Sequence, residues 1–261
     1  MIGVVYIAVV KDGRSIEQAL HTQLRMARMS VISMRKVHPN IHITLYTNLP
    51  TKPSDLYLFD SIVTSGRPLG NLWAYKHKCL EETPYDRTLH IDADTYIMDD
   101  ISEVFDVLDR FDLAIPISTW YMKNNNDNVP MCFPEPAGGF FTWVNNDRMK
   151  GFFKQVGDRC REWDSHSDEG VMREVLYNSN IRFAILPHEY NCLVRHPCYL
   201  YGDIKVAHGR IDTLKEEADM INSIRGMKLF TGGEIYELER HRKYRKYYRT
   251  VKTHKYGHCN E

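Results

Sequence analysis

Two aspartates, Asp92 and Asp94, lie in the stretch LHIDADTYIMDD, which otherwise has the apolar pattern of a buried strand. Side chains alternate along a strand, so the pattern predicts that His90, Asp92 and Asp94 share one face. An ionised carboxylate costs several kcal/mol to bury unless it is paired or bound to a metal, and two neighbouring carboxylates also repel each other. A positive group is therefore expected beside them.

A divalent cation is the partner that this acidic pair favours. Mg²⁺ and Mn²⁺ prefer oxygen ligands, commonly one or two carboxylates together with substrate phosphates. In open α/β sheets such ligands bind at the carboxyl ends of strands, where these aspartates are predicted to lie. The alternative is that both carboxylates face solvent or pair with Lys76, Lys78 or Arg87. The residues alone leave both interpretations open.

The apolar periodicity along the chain predicts an α/β domain in which strands and helices alternate, with a largely parallel sheet covered by helices. Ser15 and Gln18 form a candidate capping box for the first helix. Its apolar stripe comprises Ile16, Leu20, Leu24, Ala27, Val31 and Met34. The predicted strands are 4–10, 41–48, 61–65, the strand with the two aspartates, 111–118, 140–144 and IRFAILP. The later predicted helices cover 71–83, about 147–162 and the segment DSHSDEGVMREVLYN.

Composition narrows the function classes. The 261 residues include 34 basic and 34 acidic side chains, so net charge gives no reason to expect a nucleic-acid partner. The six cysteines show neither a CxxC pair nor zinc-ligand spacing, which favours a reducing compartment over a disulfide framework. No apolar stretch approaches the about 20 residues that span a bilayer, and MIGVVYIAVV lacks the features of a signal peptide. We expect a soluble, cytoplasmic protein.

Residues 1–215 are predicted to form one domain and residues 216–261 a C-terminal extension. From Arg240 to Lys255 the extension has eight Lys or Arg, no acidic residue and several tyrosines. The first interpretation is a packed or solvated helix or a partly disordered end. The second is a docking segment for an anionic membrane or another polyanion, because each positive charge near anionic lipid gains about 1 kcal/mol. In that case the protein is peripheral at a membrane.

The segment AYKHKCLEETPYDRTLHIDADTYIMDDI has a helix with basic residues followed by a strand ending in D-x-D. In this it resembles the nucleotide-sugar glycosyltransferases of the GT-A fold, and among them the glycosyltransferase family 8 pattern. The resemblance covers about residues 3–210 and implies a Rossmann-like, mostly parallel central sheet flanked by helices. It implies that Asp92 contacts a metal and the nucleotide's ribose, that Asp94 chelates the metal, and that Lys76 or Lys78 lies near the donor.

The end of the first strand carries a further implication of the resemblance. Ala8, Val9 and Val10, with Lys11 and Asp12, are implied to line the nucleoside.

The segment PAGGFFTW places Ala137, Gly138 and Gly139 where the family has Asn-Ala-Gly. The resemblance implies that donor sugar and acceptor approach the backbone here, which glycine permits because it has no Cβ. The family's Asn is missing, which leaves one expected sugar contact without its residue. The alternative is that the two glycines only shape a turn.

Asp168 and Glu169 stand where the family has Asp-Gln at a helix start, so the resemblance places them beside the anomeric carbon. Acidic residues at a helix N-terminus are also stabilised by its dipole, so capping alone is the alternative. The Glu169 carboxylate, in place of the family's Gln, could act as a nucleophile or as a general base, which leaves retention or inversion of the anomeric centre open.

His208 in KVAHGR is implied as the residue that completes the metal site. The family's following Gly and Lys-Pro-Trp are not reproduced, since Gly209 comes immediately and Lys215 is out of step. The alternative is an ordinary surface or core histidine, and imidazole suits Mn²⁺ better than Mg²⁺.

The resemblance thus implies an enzyme that moves a sugar from a nucleotide-sugar, UDP-sugar favoured, to a glycan or other hydroxyl acceptor, with Mn²⁺ or Mg²⁺ stabilising the leaving diphosphate. One alternative is a haloacid-dehalogenase-like phosphohydrolase, whose motif wants Thr or Val where Tyr96 stands. A second is a nucleotidyltransferase, although no glycine-rich basic loop follows the first strand. The third is a non-catalytic nucleotide-sugar binding module.

Overall fold

The computed structural model describes residues 1–10, 15–64, 70–119, 128–194, 196–209, 211–230, 234–238 and 248–253. Lys11 and Asp12, which the resemblance places near the nucleoside, lie outside these residues, as does most of the basic segment 240–255. Within the described part of the chain, no helix is both long and apolar enough to cross a membrane.

A seven-stranded sheet forms the centre of the molecule. Its strands are β1 (Ile2–Ala8), β2 (His42–Thr47), β3 (Ser61–Thr64), β4 (Arg87–Ile91), β6 (Leu113–Pro116), β7 (Phe140–Val144) and β8 (Phe183–Leu186). They follow the order β3-β2-β1-β4-β7-β6-β8. Only β7 runs antiparallel to its neighbours, β4 and β6, and the other neighbouring pairs are parallel. The predicted mostly parallel sheet is confirmed.

Helices cover both faces of this sheet, as predicted. They are α1 (Ile16–Ala19), α2 (Arg25–Val37), α3 (Leu72–Glu81), α4 (Asp147–Glu162) and α5 (Glu169–Tyr177). A sixth helix, α6 (Leu214–Asn222), packs in a separate, smaller core. Short 3₁₀ helices cover Pro53–Tyr57, Ser102–Asp109 and His188–Tyr190. In β1, Val4 and Tyr6 belong to the core on the α2 side, whereas Val5 belongs to the core under α3, α4 and α5. A strand buried on both faces explains its continuously apolar sequence.

The first helix begins where the sequence predicts and is then interrupted. The Ser15 Oγ accepts a hydrogen bond from the Gln18 backbone N–H at 3.2 Å, which confirms Ser15 as the N-cap. The apolar stripe packs on the core as predicted. However, a π-helical turn at Leu20–Leu24 separates α1 from α2. Single π-helical turns within α-helices are rare, and the apolar stripe alone does not predict this one.

Two smaller sheets lie beside the central one. The first joins β5 (Thr95–Ile97), β11 (Val206–His208) and β9 (Cys192–Leu193) in the order β5-β11-β9. The second joins β10 (Cys198–Leu200), β12 (Lys228–Phe230), β13 (Glu234–Leu238) and β14 (Tyr248–Thr253). Helix α6 crosses the predicted boundary at residue 215, and the described residues after it include the strands β12, β13 and β14. The division into a domain and an extension stays a prediction.

Replacement of Gly3 by alanine tests the packing of β1 against the turn before β4. A Cβ at Gly3 would overlap the ring of Tyr85, which is buried and held by Thr44 Oγ1 at 2.6 Å and His42 Nδ1 at 2.7 Å from its hydroxyl. Because the ring has nowhere to move, we expect Gly3→Ala to lower the free energy of unfolding by about 1–3 kcal/mol, measured by urea denaturation.

Gly151→Ala in α4 is the matched control, because a Cβ there meets no atom within 4 Å. Alanine replaces glycine in a helix, so this variant is expected to gain about 0.5–1 kcal/mol of stability. Equal changes in the two variants would show that the close approach at Gly3 carries no packing energy.

Candidate active site

The two aspartates lie in a tight turn just after β4, not within the strand. β4 ends at Ile91 and β5 begins at Thr95, so the strand stops before the pair, although the side chains of His90 and Asp92 still meet and those of Asp92 and Asp94 still converge. The turn is held by the Asp92 N–H, which donates to the Gly139 carbonyl at 2.9 Å, and by the Thr95 hydroxyl, which donates to the Asp92 carbonyl at 2.9 Å. The pair still lies at the carboxyl end of a parallel strand, where ligands are expected.

His208 meets this turn through the small three-stranded sheet. β11 pairs antiparallel with β5 so that His208 is opposite Thr95, and the Gly209 N–H donates to the Asp94 carbonyl at 2.9 Å. The His208 Nε2 consequently lies 3.2 Å from the Asp94 Oδ1. Burial opposes a charge on this ring, but the Asp94 carboxylate outweighs burial and raises the pKa of His208.

The side chains of Asp92, Asp94 and His208 form one cluster. One ligand atom from each lies within 4.8 Å of the others, and no second group of this kind occurs in the part of the chain that the structure describes. Two carboxylates and an imidazole are a suitable ligand set for Mn²⁺. The donor chemistry and the convergence of the three atoms therefore fit a divalent cation.

Gly138 and Gly139 permit a close approach, but to the site's own side chains. A Cβ at Gly139 would overlap the His208 ring, coming within 2.8 Å of its Nδ1, and would lie 3.2 Å from the Asp92 Oδ2. A Cβ at Gly138 would lie 3.1 Å from the Asp168 Oδ1. The glycines are therefore needed for the cluster to close around β7, and Ala137 beside them is buried.

Lys76 on α3 is buried at the centre of the site. Its Nζ donates to the Gly138 carbonyl at 2.9 Å and lies 3.2 Å from the Asp168 Oδ2 and 3.4 Å from the Asp92 Oδ1. Burial opposes the ammonium, but the carboxylates of Asp168 and Asp92 outweigh it and raise the pKa of Lys76. Of the lysines considered from sequence, Lys76 is the one that reaches the acidic pair, since Lys78 is exposed beside Glu82.

His90 on β4 is a further residue of the site. The sequence predicts only that it shares a strand face with the two aspartates. Its Nε2 lies 3.1 Å from the Asp92 Oδ1 and its Nδ1 3.2 Å from the Val5 carbonyl. Burial opposes ionisation of Asp92, but Lys76, His90 and His208 together hold the pKa of Asp92 well below its usual range. The His-x-Asp spacing at a strand end is the signal that could have identified this contact.

Asp168 is buried at the N-cap position of α5. It precedes the helix, yet its carboxylate makes no capping hydrogen bond and instead accepts from His77 Nε2 at 3.1 Å. Burial would raise the pKa of Asp168, but Lys76 and His77 outweigh it and lower the pKa to about 2. The Asp168 carboxylate is thus engaged by His77 and Lys76 rather than by the first N–H groups of α5. His77 was missed, because a lone histidine in a helix gives no sequence signal.

Glu169, the next residue, has the opposite electrostatic environment. Burial raises its pKa to about 7, with a further contribution from the nearby carboxylates of Asp168 and Glu135. The Gly138 N–H donates to the Glu169 Oε1 at 2.9 Å and only partly offsets this effect. A carboxyl group that titrates near neutrality can exchange a proton at physiological pH. The structure therefore distinguishes the two adjacent acids, which the sequence treated as a pair.

A cleft of about 160 Å³ opens beside the acidic turn. Its apolar part is lined by side chains of β1, the π-helical turn, α2 and α3, and its polar end by Lys76, Asp92 and Asp94. The lining residues outside that polar end are Ile7, Val9, Gln23, Met26, Leu72, Trp73 and Ala93. Three of the residues expected to line a nucleoside are described by the structure. Val9 lines the cleft, whereas Ala8 and Val10 pack in the core.

Comparison with known proteins agrees with this architecture. The sequence matches no protein-family model and no curated protein sequence. Among solved structures, the glycosyltransferase GlyE of Streptococcus pneumoniae TIGR4 is 15% identical with a TM-score of 0.51, over 74% of this chain and 46% of GlyE. The galactosyltransferase LgtC, in complex with donor and acceptor sugar analogs, is 13% identical with a TM-score of 0.51, over 72% of this chain and 74% of LgtC.

A further structure, of an LgtC active-site mutant in which a glutamine is replaced by glutamate, is 14% identical with a TM-score of 0.50. The chain spans less than half the length of GlyE, for which 46% is covered. At these identities the likeness concerns the fold. The protein has the GT-A fold found in these glycosyltransferases, which confirms the predicted fold class.

The Glu169 environment predicts a pH-dependent effect of Glu169→Gln on stability. The pKa of Glu169 is raised from 4.5 to about 7 in the folded protein. The stability that protonated Glu169 contributes is therefore complete below about pH 4.5 and is lost as the pH rises through about 7. Glutamine can still accept from the Gly138 N–H but never ionises. We therefore expect the difference in melting temperature, variant minus wild type, to increase from pH 5 to pH 8 in metal-free protein.

Glu162→Gln is the matched control, because Glu162 is exposed on α4 and pairs only with Arg159 among the described residues. Its melting temperature should follow that of the wild type over the same pH range. A Glu169→Gln difference that stays constant with pH would contradict the assignment of a raised pKa.

Proposed function

We propose that the protein is a metal-dependent glycosyltransferase that moves a sugar from a nucleoside-diphosphate-sugar, UDP-sugar favoured, to a hydroxyl group of a glycan or another acceptor. The carrying observation is the Asp92–Asp94–His208 cluster at the polar end of the cleft. The GT-A fold and the glycosyltransferase family 8 pattern of the D-x-D segment support the same function. LgtC, with its donor and acceptor sugar analogs, gives an example of two sugar substrates on this fold.

The cluster would hold Mn²⁺, or alternatively Mg²⁺, through its two carboxylates and one imidazole. When bound, such a cation acts as a Lewis acid that stabilises negative charge on a leaving diphosphate. The buried Lys76 ammonium also carries positive charge into the site, but its Nζ already contacts Asp92, Asp168 and the Gly138 carbonyl. The role of Lys76 is therefore to keep Asp92 and Asp168 ionised and in place.

Glu169 is the group that we assign to proton transfer. Asp168 is held by Lys76 and His77 and has a pKa of about 2, so it is a poor proton acceptor at neutral pH. Glu169 has a pKa of about 7 and only one of its oxygens is bound by the Gly138 N–H. A general base is most effective when its pKa is near the working pH. Glu169 would accept the proton of the acceptor hydroxyl while Asp168 orients the sugar.

Donor hydrolysis tests the proposed class of reaction. Purified protein with Mn²⁺ is expected to release free sugar slowly from its cognate nucleotide-sugar in a panel, and chelation by EDTA should abolish this release. Asp94→Ala removes a proposed metal ligand. It should lower the rate of sugar release by more than the about 10- to 100-fold loss that follows removal of a residue that only supports a ligand. Asp219→Ala, which removes a surface pair with Lys215, should leave the rate unchanged.

Each alternative function has its own product in this assay. Release of phosphate from generic esters would indicate a phosphohydrolase, and release of pyrophosphate from nucleoside triphosphates would indicate a nucleotidyltransferase. Binding of a nucleotide-sugar without any turnover would identify a non-catalytic module. Any of these three results would contradict the proposed transferase.

The pH dependence of kcat/KM tests the role of Glu169. Because only the ionised carboxylate can accept a proton, the rate should rise as the pH increases through about 7 and level off above it. Glu169→Gln should lower the rate by about 10²- to 10⁴-fold and remove this inflection. An unchanged inflection in the variant would exclude Glu169 as the base, and a product that keeps the donor's anomeric configuration would assign it the role of nucleophile instead.

A further inference from the structure

Asn191 is buried next to the proposed metal cluster without belonging to it. It lies between the 3₁₀ helix His188–Tyr190 and β9, and only 5% of its surface is exposed. β9 runs parallel to β11, with Leu193 opposite His208. This pairing brings the Asn191 side chain to the His208 ring, where its Oδ1 lies 2.9 Å from the Nδ1.

We propose that Asn191 is a positioning residue that fixes the tautomer and ring orientation of His208 and thereby sets the cation affinity of the cluster. The inference rests on the proposed metal-dependent function. Partners of this kind, which bind the second ring nitrogen of a metal-ligating histidine, orient the ring and raise the basicity of the ligating nitrogen.

The hydrogen-bonding capacity of the two groups determines the tautomer. A carboxamide oxygen only accepts, so the proton of this contact lies on the His208 Nδ1. In the neutral ring the Nε2 then carries the lone pair, which faces the Asp94 Oδ1 at 3.2 Å. In the metal-free protein a proton on the Nε2 can bridge the ring to the Asp94 Oδ1, and a bound cation takes the place of that proton. The arrangement therefore presents the Nε2 as a ligand atom towards the two carboxylates.

The opposite orientation of the carboxamide would remove this property. The amide nitrogen would then donate to the Nδ1, and the proton would lie on the Nε2, which could bind Asp94 directly but could not bind a cation. The ring is also confined on a second side by Gly139, where a Cβ would overlap it. Gly139 and Asn191 thus confine the ring on two sides, and the Asn191 oxygen places a proton on the Nδ1.

Manganese affinity of three variants tests this inference. The Kd for Mn²⁺ is measured by electron paramagnetic resonance of the free ion, with MnCl₂ as the probe and the full chain at pH 7.5. Asn191→Ala should raise the Kd by about 10- to 100-fold, the range found for loss of such a partner. Asn191→Asp keeps an oxygen that accepts from the Nδ1, so its Kd should stay close to that of the wild type.

Asn222→Ala is the matched control for lost packing. Asn222 makes two hydrogen bonds to the backbone of Ile204, at 2.7 and 3.1 Å, in the same small core but away from the cluster. This variant should lose stability in thermal unfolding without a change in Kd.

The outcomes separate this inference from the proposed function. A wild-type protein that retains no Mn²⁺ would overturn both. A wild type that binds Mn²⁺ while Asn191→Ala binds it equally well would overturn the role of Asn191 and leave the metal site standing. A rise in Kd for Asn191→Ala that Asn191→Asp does not share, with Asn222→Ala unchanged, would establish the positioning role.

Discussion

The buried ammonium of Lys76 is the charge on which the arrangement of the site depends. It joins the acidic turn after β4, the start of β7 and the start of α5 through Asp92, the Gly138 carbonyl and Asp168. An unpaired carboxylate in such an environment costs several kcal/mol, and so does an unpaired ammonium. The ammonium of Lys76 and the carboxylates of Asp92 and Asp168 can therefore be buried here only together. This mutual dependence explains why three separate segments converge on one side chain of α3.

Close packing is the second constraint, because the cluster forms only where the backbone leaves room. His208 comes from β11, which reaches the acidic turn by pairing with β5 rather than with the central sheet. The space that its ring occupies would be filled by any Cβ at Gly139. The small sheet β5-β11-β9 thus completes the cluster, while the central sheet supplies its acidic part.

Asp168 and Glu169 show how environment rather than residue type assigns a chemical role. They are adjacent in the chain. Burial raises the pKa of Asp168, but Lys76 and His77 outweigh burial and lower the pKa to about 2. Burial acts on Glu169 with two carboxylates nearby and gives a pKa of about 7. Differences of this kind between neighbouring acids are typical of sites that use one as a fixed charge and the other for proton transfer.

The sequence by itself determined the alternating α/β pattern, the mostly parallel sheet, the cap at Ser15 and the place of the acidic pair at a strand end. Those features follow from local periodicity and chain order, which a single sequence records. Only the tertiary structure decided that β4 stops before Asp92, that Asp168 binds His77 across 91 residues of sequence, and that Asn191 meets the His208 ring. The physical reason is that long-range contacts, burial and the pKa values that depend on them are properties of distances in space, which residue spacing does not contain.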